Sequence, residues 1–117
     1  MFLMIRTEFA RTFAASSAYG YILGLGDRHL DNILLDTRSG SVIHIDFGIC
    51  FGMGASHLPV PELIPFRMTP QLITALRPLD ETGLFRQYMI KVMQRLESYE
   101  SAKALENAFG LYFISCF

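Results

Sequence analysis

The chain is 117 residues long, which leaves room for one domain at most. Its apolar content of 51% and charged content of 18% fit a folded segment rather than a disordered one. A formal net charge of −1 with no run of Lys or Arg argues against a basic face for direct nucleic-acid contact.

Cysteine content and hydropathy indicate a reduced, intracellular chain. Cys50 and Cys116 form neither a zinc pattern nor a disulfide framework. No apolar run reaches the ~18 residues that a membrane span requires, so we expect no membrane partner. The mean hydropathy of +0.32 is high for a small free domain and predicts a surface that another part of a protein covers.

The first predicted element is a helix over about Thr7–Ile22. Apolar residues recur there at three- and four-residue steps: Phe9, Ala10, Phe13, Ala14, Ala18 and Ile22. Gly24 and Gly26 permit a positive φ, and they therefore predict the end of this helix.

A short β-hairpin and a long loop are predicted next. The β-prone runs Ile33–Leu35 and Val42–Ile45 flank a polar turn over Asp36–Ser41. From Gly48 to Thr69, Gly and Pro residues interrupt any regular pattern, which predicts a long ordered loop. Loops of this length inside compact domains are usually functional.

The rest of the chain is predicted to be helical. Thr69 and Pro70 form an N-cap signal for a short helix that ends near Leu76. A longer helix is predicted over about Glu81–Tyr99, and a last one begins near Ser101. The longer helix has one apolar face, formed by Leu84, Phe85, Tyr88, Met89, Val92, Met93 and Leu96. The predicted fold is mainly α with a small β-hairpin.

Three residues in the hairpin region have the spacing that phosphoryl transfer requires. Asp27 lies at the end of the first helix, Asn32 follows five residues later, and Asp46 opens Asp-Phe-Gly after the second strand. One carboxylate must orient the attacking hydroxyl, while a carboxamide and a second carboxylate hold magnesium. Because magnesium prefers oxygen ligands and few carboxylates, Asn32 and Asp46 suit it. The hairpin is expected to bring both to neighbouring strand ends.

The motifs Gly-Asp-Arg-His-x-x-Asn-Ile and His-Ile-Asp-Phe-Gly resemble the catalytic and activation loops of the phosphatidylinositol 3-kinase superfamily. Protein kinases carry His-Arg-Asp at this place, whereas Asp27-Arg28-His29 has the reversed order. The segment Pro61–Thr69 is similar to the phosphatidylinositol 3-kinase-related protein kinases. The resemblance extends from about Ala14 to Gly83.

The resemblance implies a role for each matching residue. Asp27 would orient the substrate hydroxyl, and His29 would contact the reacting hydroxyl or the γ-phosphate. Asn32 and Asp46 would be the magnesium ligands. The implied cofactors are ATP and Mg²⁺.

The resemblance also implies a domain layout, a partial C-lobe of a protein-kinase-like α+β fold. Leu34 and Ile45 match positions that floor the adenine pocket. The whole chain, 1–117, would be a piece of a PI3K/PI4K-type catalytic domain. Its parts would be a first helix, a catalytic loop at 24–35, Asp-Phe-Gly at 46–48, an activation loop at 46–69 and C-lobe helices at 69–117.

Other polar residues are interpreted as structural or exposed. His44 is expected to be a strand residue facing the Asp27 loop, and Arg67 to anchor the end of the long loop. Met89 and Met93 are interpreted as core packing. The exposed or turn residues are expected to be Asp31, Asp36 and His57.

The long loop discriminates between lipid and protein substrates. A phosphoinositide headgroup is strongly negative, so a loop that binds it should carry Lys or Arg. Between Gly48 and Phe66 there is neither, which favours Ser or Thr hydroxyls of a protein. A lipid kinase with an unusual loop remains an alternative. The resemblance further implies a DNA-damage-response role and a nuclear location.

An N-lobe is expected to be missing. Phosphoryl transfer needs a lid over the phosphates and a lysine that pairs with them. The 23 residues before Gly24 contain no Lys and no strand-Gly-strand pattern, so we expect the isolated chain to have little activity. The apolar end at 111–117 likewise predicts a piece of a larger chain. A truncated, non-catalytic binding module is the other alternative.

Overall fold

The computed structural model describes residues 1–64, 66–78, 81–98, 103, 104 and 107. It confirms a mainly helical chain with one antiparallel hairpin. The elements are α1 (Phe2–Leu23), β1 (Ile33–Leu35), β2 (Val42–His44), α2 (Gly54–His57), α3 (Pro70–Leu76) and α4 (Arg86–Leu96). A 3-10 turn at Leu30–Asn32 precedes β1, and a π-type segment at Glu81–Phe85 precedes α4. Within the described residues, no helix is long and apolar enough to cross a membrane.

Helix α1 starts earlier than its apolar period predicts. It begins at Phe2 rather than near Thr7, and its first turn exposes apolar side chains that follow no buried stripe. Its predicted end is confirmed, because Gly24 adopts φ 57° and ψ 42°. In that left-handed conformation the Gly24 N–H reaches the Tyr21 carbonyl at 3.1 Å, which closes the last turn.

The core lies where α1 meets the hairpin and the later helices. The fully buried Phe13 ring lies 5.0 Å from that of Phe85, measured between ring centroids. The hydroxyl of Thr12 accepts the backbone N–H of Val42 at 2.9 Å, which fixes β2 to α1. The buried apolar residues of this core are Phe9, Ala10, Phe13, Ala14, Val42, Leu76 and Phe85.

The prediction of one continuous helix over Glu81–Tyr99 is wrong. Gly83 has φ −91° and ψ −121°, which is not helical, and it separates the π-type segment from α4. Glycine carries no Cβ to disfavour such a break, and a periodicity argument does not register it. Met89 still packs against the core as expected. Of the predicted helix near Ser101, the structure describes Lys103, Ala104 and Asn107, and all three are helical. Tyr99, Cys116 and the apolar end lie outside the described residues.

The long loop contains one element that the sequence did not predict. The short helix α2 lies in the middle of the predicted activation loop, between Cys50 and Leu58. Four residues are too few to show an apolar period, which explains the omission. The hairpin prediction is one residue too long, since β2 ends at His44 and Ile45 lies beyond it.

Candidate functional site

The hairpin brings Asn32 and Asp46 to the same end of the two strands. The register pairs Ile33 with His44, so Asn32 directly precedes β1 and Asp46 closely follows β2. One further backbone bond, from Ile45 N–H to the Asn32 carbonyl at 3.0 Å, extends the pairing. The expected juxtaposition of these two residues therefore follows from strand register.

Arg28 is the buried connector of the site. Only 6% of it is exposed, and its guanidinium donates to the carbonyls of Gly26 at 2.8 Å and Ile45 at 2.7 Å. It also donates to the Asp46 carbonyl. A planar group with five donors can serve several carbonyls at once. Arg28 thus ties the segment before β1 to the segment after β2.

Asp27, His29 and Asn32 form a compact polar cluster. The Asn32 amide nitrogen Nδ2 donates to the Asp27 carbonyl at 2.8 Å and lies 3.1 Å from His29 Nε2. Since an amide nitrogen only donates, His29 Nε2 accepts here, and a neutral imidazole carries its proton on Nδ1. His29 Nε2 is also 3.7 Å from Asp27 Oδ1. The structure therefore brings these three predicted residues together.

Asp46 and Asn32 offer the oxygens that magnesium prefers. Asp46 has φ 59° and an exposed side chain, whose Oδ1 accepts the Gly48 N–H at 3.2 Å. Its Oδ2 and the Asn32 Oδ1 are the remaining oxygens of the pair, and this donor set fits a magnesium ion completed by phosphate and water. The described residues contain no group of three or more His, Cys, Asp or Glu able to hold a metal.

The predicted adenine-pocket residues lie on an exposed apolar face. Leu34 is 46% exposed, and its cross-strand partner Ile43 is 49% exposed. Ile45 follows on the same side at 38%. Val42 and His44 point the other way and are buried, as alternation in a strand requires. Three apolar side chains, Leu34, Ile43 and Ile45, are therefore exposed to solvent on this part of the hairpin.

His44 lies in the interior, close to the Asp27 loop. Its ring is 6.0 Å from that of Tyr19 in an edge-on arrangement, and within the described part of the chain neither ring nitrogen has a hydrogen-bond partner. Burial, and secondarily the Arg28 charge, lowers the pKa of His44 to about 4. His44 is therefore neutral near neutral pH.

Glu62 is a site residue that the sequence analysis missed. Its Oε2 accepts the backbone N–H of Asp27 at 2.8 Å, across 35 positions of sequence. A signal was available, because Glu62 is the only Asp, Glu, Lys or Arg between Gly48 and Phe66. The role of Arg28 was missed too, since only its place between Asp27 and His29 marked it.

The residues predicted to be exposed or in a turn, Asp31, Asp36 and His57, lie where expected. The Asp31 side chain is 98% exposed, and Asp36 caps the hairpin turn by accepting from Arg38 N–H at 2.9 Å. This bond, and a second one from the Ser39 hydroxyl at 2.9 Å, lower the pKa of the Asp36 carboxyl. His57 is exposed, and Cys50 is half-buried and free.

Comparison with known proteins identifies relatives over most of the chain. A sequence model of the family described as phosphatidylinositol 3- and 4-kinase matches residues 1–109. The chain is similar to the DNA-dependent protein kinase catalytic subunit of Dictyostelium discoideum, with 46% identity over 97 residues, or 83% of this chain. It is also similar to serine/threonine-protein kinase SMG1 of Danio rerio, with 49% identity over 94 residues, or 78% of this chain.

A solved structure confirms the fold. The structure described as the FAT and kinase domain of CtTel1 matches 80% of this chain with a TM-score of 0.77 and 46% identity. The described elements therefore agree with part of a kinase C-lobe. The chain spans only 2% and 3% of the two curated relatives and 7% of the matched structure.

Proposed function

The chain belongs to the phosphatidylinositol 3- and 4-kinase family, and from this premise we propose that it is the catalytic centre of a serine/threonine-protein kinase. The reaction is transfer of the γ-phosphoryl group of ATP to a protein hydroxyl. The observation that carries the proposal is the Arg28 connection, which holds Asp46 beside the cluster of Asp27, His29 and Asn32.

Each residue of the cluster has a defined task in this proposal. The Asp27 carboxylate accepts a hydrogen bond from the substrate hydroxyl and orients it for attack. Asn32 and Asp46 would hold magnesium through their side-chain oxygens, and the ion would supply positive charge opposite the phosphates. His29 donates to the transferring group through Nε2 only when Nε2 carries a proton, because in the present arrangement that nitrogen accepts from Asn32.

Nucleotide binding is proposed for the exposed hairpin face. The side chains of Leu34 and Ile45 lie beside the polar cluster and present apolar surface to solvent. An adenine ring stacked there would remove that surface from water, which stabilises binding by about 25 cal/mol per Å². The phosphates would then extend toward Asn32 and Asp46.

A protein substrate is favoured over a phosphoinositide. Phe51 and Val60 lie on a loop segment without Lys or Arg, so the segment offers no positively charged Lys or Arg side chain to bind an anionic headgroup. The relatives named above are protein kinases by name. A role in the DNA-damage response and a nuclear location follow from the same resemblance and are proposed with it.

The test is a transfer assay on the full-length polypeptide that carries this chain. Labelled phosphate from ATP is followed onto a Ser/Thr peptide and, in parallel, onto phosphatidylinositol vesicles. We expect transfer to the peptide, lost by about 10²- to 10⁴-fold in Asp27→Asn. Glu97→Gln is the control, since its side chain is exposed and does not belong to the polar cluster, and it should keep wild-type turnover.

Two outcomes would contradict the proposal. Transfer to the vesicles but not to the peptide would assign a lipid kinase. Undiminished transfer in Asp27→Asn would remove Asp27 from the chemistry. The same assay on the 117 residues alone is expected to give little turnover; strong Asp27-dependent transfer there would contradict the need for an N-lobe.

A further inference from the structure

The predicted activation loop folds back onto the predicted catalytic loop, and Glu62 makes the closing contact. The Glu62 backbone N–H donates to the Gly54 carbonyl at 3.2 Å, while its Oε2 accepts the Asp27 N–H at 2.8 Å. Two further backbone bonds join the same segments, Gly26 N–H to Ile49 O at 2.9 Å and Gly52 N–H to Gly24 O at 3.1 Å. The Glu62 carboxylate therefore adds a side-chain hydrogen bond to a row of backbone hydrogen bonds between the two loops.

Two glycines make the space for this carboxylate. A Cβ on Gly26 or on Gly54 would lie 2.9 Å from Glu62 Oε2, closer than carbon and oxygen can approach without displacement. Both glycines are buried, and the backbone Cα of Gly54 would also meet a Cβ on Gly26 at 3.1 Å. Glu62 Oε2 thus fills a slot that exists because these two side chains are absent.

The backbone of Asp27 explains why a carboxylate is useful there. Asp27 has φ 57°, a left-handed conformation that is unfavourable for most residues by about 1–2 kcal/mol. Its N–H is held by Glu62 and its carbonyl by Asn32 Nδ2 at 2.8 Å. With both backbone groups held, the direction in which the Asp27 Cα–Cβ bond leaves the backbone is set as well.

We propose that Glu62 is a positioning residue that holds Asp27 in its left-handed conformation and so makes the orientation of the Asp27 carboxylate depend on the folded state of the predicted activation loop. The catalytic half of this inference rests on the proposed function. The structural half does not, because it concerns only the bond between the Asp27 N–H and the Glu62 carboxylate.

The structural half is tested by hydrogen–deuterium exchange resolved to single amides in the full-length polypeptide. In Glu62→Ala the Asp27 N–H loses its acceptor, and we expect its exchange to accelerate by about tenfold or more. Glu62→Gln retains a neutral acceptor, and a hydrogen bond to a neutral group is roughly half as strong as one to a carboxylate. We therefore expect Asp27 exchange in Glu62→Gln to accelerate by only about threefold. The matched controls are Glu97→Ala and Glu97→Gln, at an exposed residue, which should leave Asp27 exchange unchanged.

The amides of Phe13 and Val42 report whether the variants keep their fold. Both residues are buried and lie away from Glu62 along the chain, so their exchange should match the wild type. If Glu62→Ala accelerates them too, it has lost its fold, and Glu62→Gln alone decides. Unchanged Asp27 exchange in a folded Glu62→Ala, or in Glu62→Gln when it alone decides, would overturn the inference.

The catalytic half is tested by kcat in the transfer assay. We expect Glu62→Ala to lower kcat by about tenfold or more with the KM for ATP unchanged, and Glu62→Gln to restore part of it. If Glu62→Ala has a wild-type kcat but faster Asp27 exchange, the positioning role is overturned, while the hydrogen bond between Glu62 and the Asp27 N–H is still supported. If the wild type transfers nothing to either substrate, the proposed function fails, while Asp27 exchange still decides whether Glu62 holds Asp27.

Discussion

Replacement of Arg28 measures how much of the site depends on one buried guanidinium. Arg28→Ala removes the side-chain donor for the carbonyls of Gly26, Ile45 and Asp46. Each hydrogen bond from a charged donor contributes about 1.5–3 kcal/mol, and the three do not add fully. We expect the free energy of unfolding to fall by about 3–5 kcal/mol.

The assay is urea denaturation of the chain followed by far-UV circular dichroism. With a denaturant dependence of about 1–3 kcal/mol per M, the midpoint should fall by at least about 1 M. Arg28→Lys keeps the charge but presents a point donor, so an intermediate loss is expected. The exposed Arg38 serves as the control, and Arg38→Ala should change stability by less than about 0.5 kcal/mol. A loss under about 1 kcal/mol in Arg28→Ala would refute the reasoning.

Three further predictions concern pH, glycine geometry and helix capping. The pKa of His44 is about 4 in the folded chain and 6.5 in its ordinary state, so the unfolded chain takes up the proton first as the pH falls. The free energy of unfolding should therefore fall by up to about 3 kcal/mol between pH 6.5 and pH 4. His44→Phe should remove this contribution of His44 to the pH dependence in urea titrations. Gly40→Ala should lower the melting temperature far more than Gly52→Ala. Both glycines have a positive φ, 86° and 77°. A Cβ on Gly40 would meet the Ile5 carbonyl, whereas a Cβ on Gly52 would face open space. Equal losses in the two variants would contradict this. Thr69→Ala removes the side-chain oxygen that caps α3 and should lower the free energy of unfolding by about 0.5–1 kcal/mol in urea titrations. An unchanged free energy of unfolding would show that the cap does not stabilise the chain.

The predictable parts of the fold are those with a local cause. Helix α3 was predicted at both ends, because a Thr-Pro pair is a strong start signal and the Thr69 oxygen does accept from Leu72 N–H. The strand β1 was also exact, since a short β-prone run ends at a polar turn. The break at Gly83 was not predictable from apolar spacing, because the residues on either side of it keep the helical period.

The candidate site divides in the same way. The spacing of Asp27, Asn32 and Asp46 predicts them as site residues, and strand register accounts for the proximity of Asn32 and Asp46. Glu62 contacts a residue 35 positions away in the sequence. Arg28 contacts backbone carbonyls, which every residue type has, so residue type does not reveal its partners. Glu62 stands out in the sequence as the only charged residue of its segment, but nothing local to Glu62 or Arg28 indicates which groups they contact.

The length of chain enclosed by each contact has a consequence for how the centre assembles during folding. The bonds from Arg28 to the carbonyls of Ile45 and Asp46 close loops of 17 and 18 positions. The contact between Glu62 and Asp27 closes one of 35. A doubling of loop length adds about 0.6 kcal/mol of closure entropy, so nearer partners meet sooner. We therefore expect the segments that Arg28 joins to form an early local unit, and the loop that carries Glu62 to dock last.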